Sequence, residues 1–122
     1  MQLEKLPGTL SVCKLNATGD FPLDASFYFI GKTDEELSLV CRTENVPACA
    51  TERSDGWRGF RVKGVLDFSL IGILSKLSTV LAENAIGLFA VSTYNTDYIL
   101  VRTEDFDRAA LALAAAGCEM IE

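Results

Sequence analysis

The chain has 122 residues, 49% of them hydrophobic, which fits one compact domain or two very small interlocked ones. It contains no run of 18 apolar residues and no basic-then-apolar N-terminus, so we expect a cytoplasmic protein without a membrane span or signal peptide. The net charge is −6, and residues 64–122 hold 3 basic against 8 acidic side chains, which argues against nucleic-acid and anionic membrane partners.

Apolar runs in the first half of the sequence predict strands and no clear helix. The predicted strands are 9–15, 26–31 and 37–42, and the last two form a hairpin around a turn at 33–36. Residues 44–56 are interpreted as a loop because of Pro47 and the turn signal at 54–56. We therefore place a first unit at residues 1–56 and a second at 57–122, and we find no internal sequence repeat.

The second half predicts the order β-α-β-β-α-β, which is the ferredoxin-like arrangement of an α+β fold. Its predicted strands are 57–63, 86–92, 98–102 and 118–121. Apolar residues at three- and four-residue spacing predict a first helix, capped by Asp67 or Ser69 and ended by Asn84; they are Leu70, Ile71, Leu74, Leu77, Val80 and Leu81.

A second helix is predicted to follow Thr103 as its N-cap and to stop at Gly117. Acidic residues in its first turn complement the helix dipole; they are Glu104, Asp105 and Asp107. Its predicted buried face consists of Phe106, Ala109, Ala110, Leu113 and Ala114.

The four cysteines do not predict a metal site. They form no CxxC pair, and the chain has no histidine, so a structural zinc site is not expected. Cys13 and Cys41 lie in apolar strands and are interpreted as small buried hydrophobic residues. No cofactor is predicted.

Six consecutive polar residues, 92–97, separate two predicted strands. A turn needs one Asn or Asp for its geometry, so the excess suggests a site that grips a small polar molecule. An ordinary hairpin with a polar tip is an equally good interpretation at this point.

The segment from Asp67 to Val101 resembles the ACT domain family of regulatory modules. The run Ser-Thr-Tyr-Asn-Thr-Asp-Tyr-Ile-Leu-Val-Arg, residues 92–102, looks most like the ACT modules of the CASTOR arginine sensors and also resembles those of aspartate kinases. The strong resemblance covers residues 64–106. It implies a ferredoxin-like ACT domain at about 57–122, preceded by an ACT-like half-module of antiparallel strands at 1–56.

The resemblance also implies a ligand site between two modules, and with it a homodimer. The residues it points to are the first loop, the start of the second strand and the strand-end turn: Asp67, Phe68, Ser69, Leu70, Ile71, Gly72, Gly87, Leu88, Thr93, Tyr94 and Asp97. This sequence departs from the sensors in that its first loop is apolar and less rich in glycine.

Physical chemistry gives these residues roles in binding a zwitterionic amino acid. The start of the first helix, near Leu70–Gly72, offers free N–H groups to a carboxylate, and Asp97 can accept from a cationic group. Each feature has an alternative role: Gly72 in helix packing, Asp67 as a cap, and Asp97 in stabilising its turn.

Three functions follow as hypotheses. The first is a non-enzymatic, allosteric sensor of an amino acid or similar metabolite that acts on an unknown protein partner. The second is an interaction module whose ligand site is vestigial. The third, least favoured, is an acylphosphatase-like enzyme, since the loop containing Asp67 has no basic residue to hold phosphate and no nucleophile–base pair is evident.

Overall fold

The structure, a computed structural model, describes residues 1–16, 21, 23–63 and 72–122. The chain divides into two compact units. We call the unit of Met1–Pro7 and Arg58–Glu122 the helical unit, and the unit of Gly8–Trp57 the strand unit. The predicted cap residues Asp67 and Ser69 lie outside the described residues.

The described residues form the following strands and helices: β1 (Gln2–Lys5), β2 (Leu10–Leu15), β3 (Tyr28–Lys32), β4 (Leu37–Arg42), β5 (Ala50–Val62), α1 (Ile73–Glu83), β6 (Phe89–Ser92), β7 (Asp97–Arg102), α2 (Phe106–Ala115) and β8 (Glu119–Ile121). Two 3-10 turns, Thr43–Asn45 and Thr103–Asp105, follow β4 and β7. The long strand β5 contributes its first part to the strand unit and its second part to the helical unit.

The helical unit has the predicted ferredoxin-like α+β order, with one addition. Within its described residues the sheet order is β6-β7-β5-β1-β8, so β1 lies between the two strands that would otherwise be neighbours. Leu3 pairs with Val62 in the antiparallel β1–β5 ladder and with Met120 in the parallel β1–β8 ladder. No local pattern in residues 2–5 predicts β1.

One face of this sheet and both helices share a single core. Phe60 and Phe106 stack at a centroid distance of 4.7 Å, and the Arg58 guanidinium lies 3.8 Å from the centre of the Phe106 ring. The other residues of this core that are less than 2% exposed are Leu3, Val62, Leu77, Leu81, Ile99, Val101, Ala109 and Leu113. Burying such side chains contributes about 1.5–3 kcal/mol each, which is why the two predicted helix faces pack here.

Two predictions for α2 are wrong. Ala114 is exposed, because the buried stripe ends at Leu113. Thr103 is not the N-cap of α2, because a 3-10 turn that begins at Thr103 precedes the helix and moves its N-cap to Asp105. The acidic first turns around Glu104 and Asp107 are confirmed.

The strand unit pairs its strands in the order β3-β4-β2-β5. The prediction of a loop throughout 44–56 is wrong, because β5 already begins at Ala50. Leu10 pairs with Trp57 and Val12 with Ser54, so Ser11 alone faces Asp55 and Gly56. Gly56 has a φ of +84° and lies in a β-bulge inside β5. The sequence at 54–56 that resembles a turn is therefore part of a strand.

A buried polar group holds the bulge. Ser11 is fully buried, and its hydroxyl donates to Asp55 at 2.6 Å and lies 3.0 Å from the Thr43 hydroxyl. The hydrogen bond from Ser11 lowers the pKa of Asp55 most, and the hydrogen bond from Arg53 lowers it next.

Candidate functional site

The polar run of the sequence forms the turn between β6 and β7. Ser92 pairs with Asp97 as the last pair of the ladder, and the amide of Thr93 donates to the Thr96 carbonyl at 2.9 Å. The Thr93 hydroxyl donates to the same carbonyl at 2.8 Å. Part of the polarity of this segment therefore serves the turn itself.

Thr96 fixes the turn to the sheet. It is 5% exposed, and its hydroxyl donates to the Val62 carbonyl at 2.7 Å. Because Val62 is the last residue of β5, this bond holds the turn at the end of β5, just before the connection to α1. Sequence reasoning did not identify Thr96, because its partner lies on a strand far away in the sequence.

The exposed residues of the turn are Ser92, Tyr94 and Asn95, and Asp97 is partly exposed beside them. Tyr94 is 81% exposed. Asp97 is half-buried, and among the described residues its carboxylate makes no hydrogen bond or ion pair. A half-buried carboxylate without a partner is available to a cationic or amino group of a ligand.

Among the described residues α1 is the next regular element after β5, and it begins eleven residues after the end of that strand. Gly72 is its N-cap, has a φ of +84° and makes no capping bond with a side chain. No acidic residue lies in the first turn of α1, whereas Asp107 lies in that of α2. The positive end of the α1 dipole is thus left without a complementary charge from its own first turn.

Two other predicted contacts lie elsewhere. Gly87 and Leu88 precede β6, at the end of that strand opposite to Thr93. Six residues of extended chain span about 20 Å, so within one chain Gly87 and Leu88 are not brought close to Thr93, and their contact with a ligand between two modules stays a prediction. The remaining predicted contacts, Asp67, Phe68, Ser69, Leu70 and Ile71, lie outside the described residues.

A charged cluster lies beside the turn on β7, β5 and β1. The Arg61 guanidinium donates to the Tyr98 hydroxyl at 3.1 Å and to Glu4 at 3.1 Å. Burial alone lowers the pKa of Arg61, but Tyr98 and Glu4 outweigh burial and raise the pKa above its ordinary value. Lys63 also lies 3.5 Å from Glu4.

The same hairpin occurs a second time, between β3 and β4 of the strand unit. The Thr33 amide donates to the Glu36 carbonyl at 2.9 Å, as Thr93 does to Thr96. Arg-Thr-Glu follows each hairpin, at 42–44 and at 102–104, and leads into a 3-10 turn. Leu37 stands where the second hairpin has Asp97. The repeated Arg-Thr-Glu is a sequence signal of this structural repeat, too short to stand out as a repeat in the sequence alone.

The cysteines are free thiols. Cys13, Cys41 and Cys118 are buried, and burial raises the pKa of Cys41 to about 12, so this thiol is unreactive at neutral pH. Within the described residues, no three potential ligand side chains are grouped to hold a metal ion. The described helices also include none that is long and apolar enough to cross a bilayer.

Comparison with known families gives two matches that divide the chain. A family model described as an ACT domain matches residues 52–115, just over half of the chain. A second model, described as an N-terminal domain, matches residues 8–49. No curated protein matches the sequence.

Several solved structures are similar to this chain. A protein from Agrobacterium tumefaciens is 33% identical, with a TM-score of 0.85 over 98% of this chain and 91% of that one. A Vibrio cholerae protein of unknown function, titled a possible transport protein, is 23% identical with a TM-score of 0.76, over 93% of this chain and 88% of that one.

Part of an aspartate kinase from Clostridium acetobutylicum has a similar fold, at 16% identity. Its TM-score is 0.67 over 93% of this chain, which spans 33% of the kinase. The last two similarities concern the fold alone.

Proposed function

The chain belongs to the ACT domain family, and from this premise we propose that it is a non-enzymatic regulatory module that binds an amino acid or similar small metabolite. The ligand binds at the β6–β7 turn, where two modules meet, and its binding alters a partner protein. The cytoplasmic location expected from the sequence stays a prediction.

The observation that carries this proposal is the unpaired Asp97 carboxylate on a turn that the Thr96 hydroxyl fixes to the end of β5, within the described part of the chain. A fixed turn holds the carboxylate in place before the ligand arrives, which lowers the entropic cost of binding. The start of α1, at Gly72, has no side-chain cap among the described residues and suits a carboxylate.

These two groups define the ligand that we propose. A zwitterion places its carboxylate at the N–H groups of α1 and its ammonium or guanidinium at Asp97. Asp97 therefore favours neutral or cationic amino acids over acidic ones, because a second carboxylate on the ligand is repelled.

We propose that the assembly is a homodimer and that the ligand acts by stabilising one arrangement of the modules. A ligand shifts such an equilibrium only by its difference in affinity for the two states. This proposal predicts that ligand and dimerisation strengthen each other, which sedimentation with and without ligand measures directly.

A thermal-shift screen of the twenty L-amino acids tests the binding itself. A ligand present at a hundredfold excess over its Kd stabilises the folded state by about 2.7 kcal/mol, and Asp97→Asn removes most of that gain. Asp34→Asn is the matched control, since it removes the same charge from the equivalent hairpin of the strand unit. An equal loss in both variants contradicts a site at Asp97.

A second candidate function, an interaction module with a vestigial site, is favoured by the bonding of the turn. The hydroxyls of Thr93 and Thr96 are both engaged within the protein, which leaves fewer groups for a ligand. No response to any amino acid at millimolar concentration, together with a protein partner that still binds Asp97→Asn, supports this candidate instead.

The acylphosphatase-like hypothesis receives less support. The Arg58 guanidinium stacks on Phe106 and donates to the Leu6 carbonyl at 3.4 Å. The hydroxyl–carboxylate pair of Ser11 and Asp55 is short, but Ser11 is fully buried and holds a β-bulge. We therefore propose that neither group takes part in catalysis.

A further inference from the structure

The two repeated hairpins differ in what lies beside them. In the helical unit a row of three side chains crosses β7, β5 and β1: Tyr98, Arg61 and Glu4. Arg61 bonds to both neighbours at 3.1 Å, so the row is closed by its own contacts.

The strand unit has an equivalent row across β4, β2 and β5. Lys14 pairs with Ser38 on one side and with Glu52 on the other. Ser38 and Tyr98 hold the same register position, each one residue after the start of the second strand of its hairpin. This row therefore has a serine in place of the tyrosine and a lysine in place of the arginine. Among the described residues, Lys14 and Glu52 form no ion pair, although they lie on neighbouring strands.

The smaller side chains leave a groove over this row. Its volume is about 310 Å³, and Glu36 and Ser54 are among the residues that line it beside the row. A volume of this size lies at the lower end of the range of small-molecule sites. The closed row of the helical unit indicates that the groove results from these particular residues and not from the hairpin fold itself.

The charges of the groove define its ligand. Arg53, which also lines the groove, is bonded to Asp55 at 3.1 Å, so that these two charges balance each other. One ammonium, Lys14, and two carboxylates, Glu36 and Glu52, remain without ion-pair partners in the described part of the chain. A ligand with one carboxylate and two cationic nitrogens complements this set.

We propose that this groove is a second binding site, which takes a small zwitterion with a net positive charge, such as a basic amino acid. The ligand carboxylate lies at Lys14 and Ser38, and its two cationic groups lie at Glu36 and Glu52. The site is separate from the turn at Asp97 and does not depend on the function proposed for it.

An amide NMR titration with L-lysine tests the site. We expect saturable shifts at Lys14, Ser38 and Glu52. Putrescine, which lacks the carboxylate, and succinate, which lacks the cations, are expected to bind at least tenfold more weakly.

The decisive variant is the double substitution Lys14→Arg with Ser38→Tyr, which rebuilds the closed row of the helical unit. It should keep a dispersed, folded spectrum and lose the shifts at the groove. Ser75→Tyr with Lys76→Arg makes the same changes on the exposed face of α1 and should leave binding intact. Glu52→Gln, a change of an exposed side chain, provides a second test and should weaken binding at least fivefold.

Three outcomes overturn the proposal. The first is no saturable shift at the groove up to about 20 mM L-lysine, roughly the weakest binding that such a titration detects. The second is shifts that persist in the double variant, and the third is shifts confined to the turn. The last of these supports the site at Asp97 alone. Groove shifts that survive Asp97→Asn support the groove even if the function proposed for the turn fails.

Discussion

The bond from Thr96 to Val62 makes the sharpest prediction about how the candidate site is built. Thr96→Val keeps the shape of the side chain and removes its hydroxyl. The Val62 carbonyl then loses a 2.7 Å donor at a position where the donor residue is 5% exposed, so water replaces it poorly. Leaving a buried polar group without its partner costs about 1–3 kcal/mol.

For a chain of this size, each kcal/mol corresponds to a fall of roughly 3–5 °C in the melting temperature. Urea denaturation gives the free energy of unfolding of Thr96→Val beside Thr93→Val, the matched control. The Thr93 hydroxyl bonds to a carbonyl that also accepts an amide hydrogen, and so its loss should cost about 0.5 kcal/mol. A cost for Thr96→Val no greater than that for Thr93→Val refutes the argument that Thr96 anchors the turn.

Three further predictions follow from the backbone and the titrating groups. Ala85, after α1, has a φ of 57° in the left-handed region, so Ala85→Gly should raise the free energy of unfolding by about 1 kcal/mol. Gly117, after α2, has a φ of 104°, so Gly117→Ala should lower the free energy of unfolding. Chemical denaturation of both variants checks the two signs. The lowered pKa of Asp55 stabilises the folded state above the unfolded pKa of 3.8, and this stability is lost as the pH falls through the folded pKa. Ser11→Ala should therefore flatten the dependence of stability on pH between pH 2.5 and 5, roughly one unit either side of the unfolded pKa. Circular dichroism melts across this range measure the effect. The Cys41 thiol, with a pKa of about 12, should react with a thiol reagent at pH 8 only on unfolding. Because Cys49 is only partly buried, the labelled residues are identified by peptide mapping, and rapid labelling of Cys41 itself in the native protein contradicts this expectation.

Local sequence patterns predict most of the elements because they report on burial at short range. The apolar runs of β2 and β4 reflect burial along each strand, and the three- and four-residue spacing through Leu77 and Leu81 follows from one buried helix face. Local patterns do not reveal β1, because its four residues gain their partners from strands that lie far away in the sequence. The bulge at Gly56 resembles a turn in the sequence because both need a glycine at positive φ.

The candidate site is predictable in part. The polar run locates the β6–β7 turn and points to Asp97 as its carboxylate. The role of Thr96 depends on the Val62 carbonyl across the sheet, which no local pattern reports. The groove at Lys14 depends on comparing two hairpins that lie far apart in the sequence, and the matching residues there are too few to stand out without the ladder register.

A metabolite site at the β6–β7 turn is tested first by mapping amide shifts of the protein with pooled L-amino acids and then with the single compound that responds. We predict saturable shifts at Thr93–Asp97 and in the first turn of α1, and their loss in Asp97→Asn but not in Asp34→Asn. A folded protein whose turn and α1 amides do not move with any amino acid at millimolar concentration contradicts a metabolite site at the β6–β7 turn.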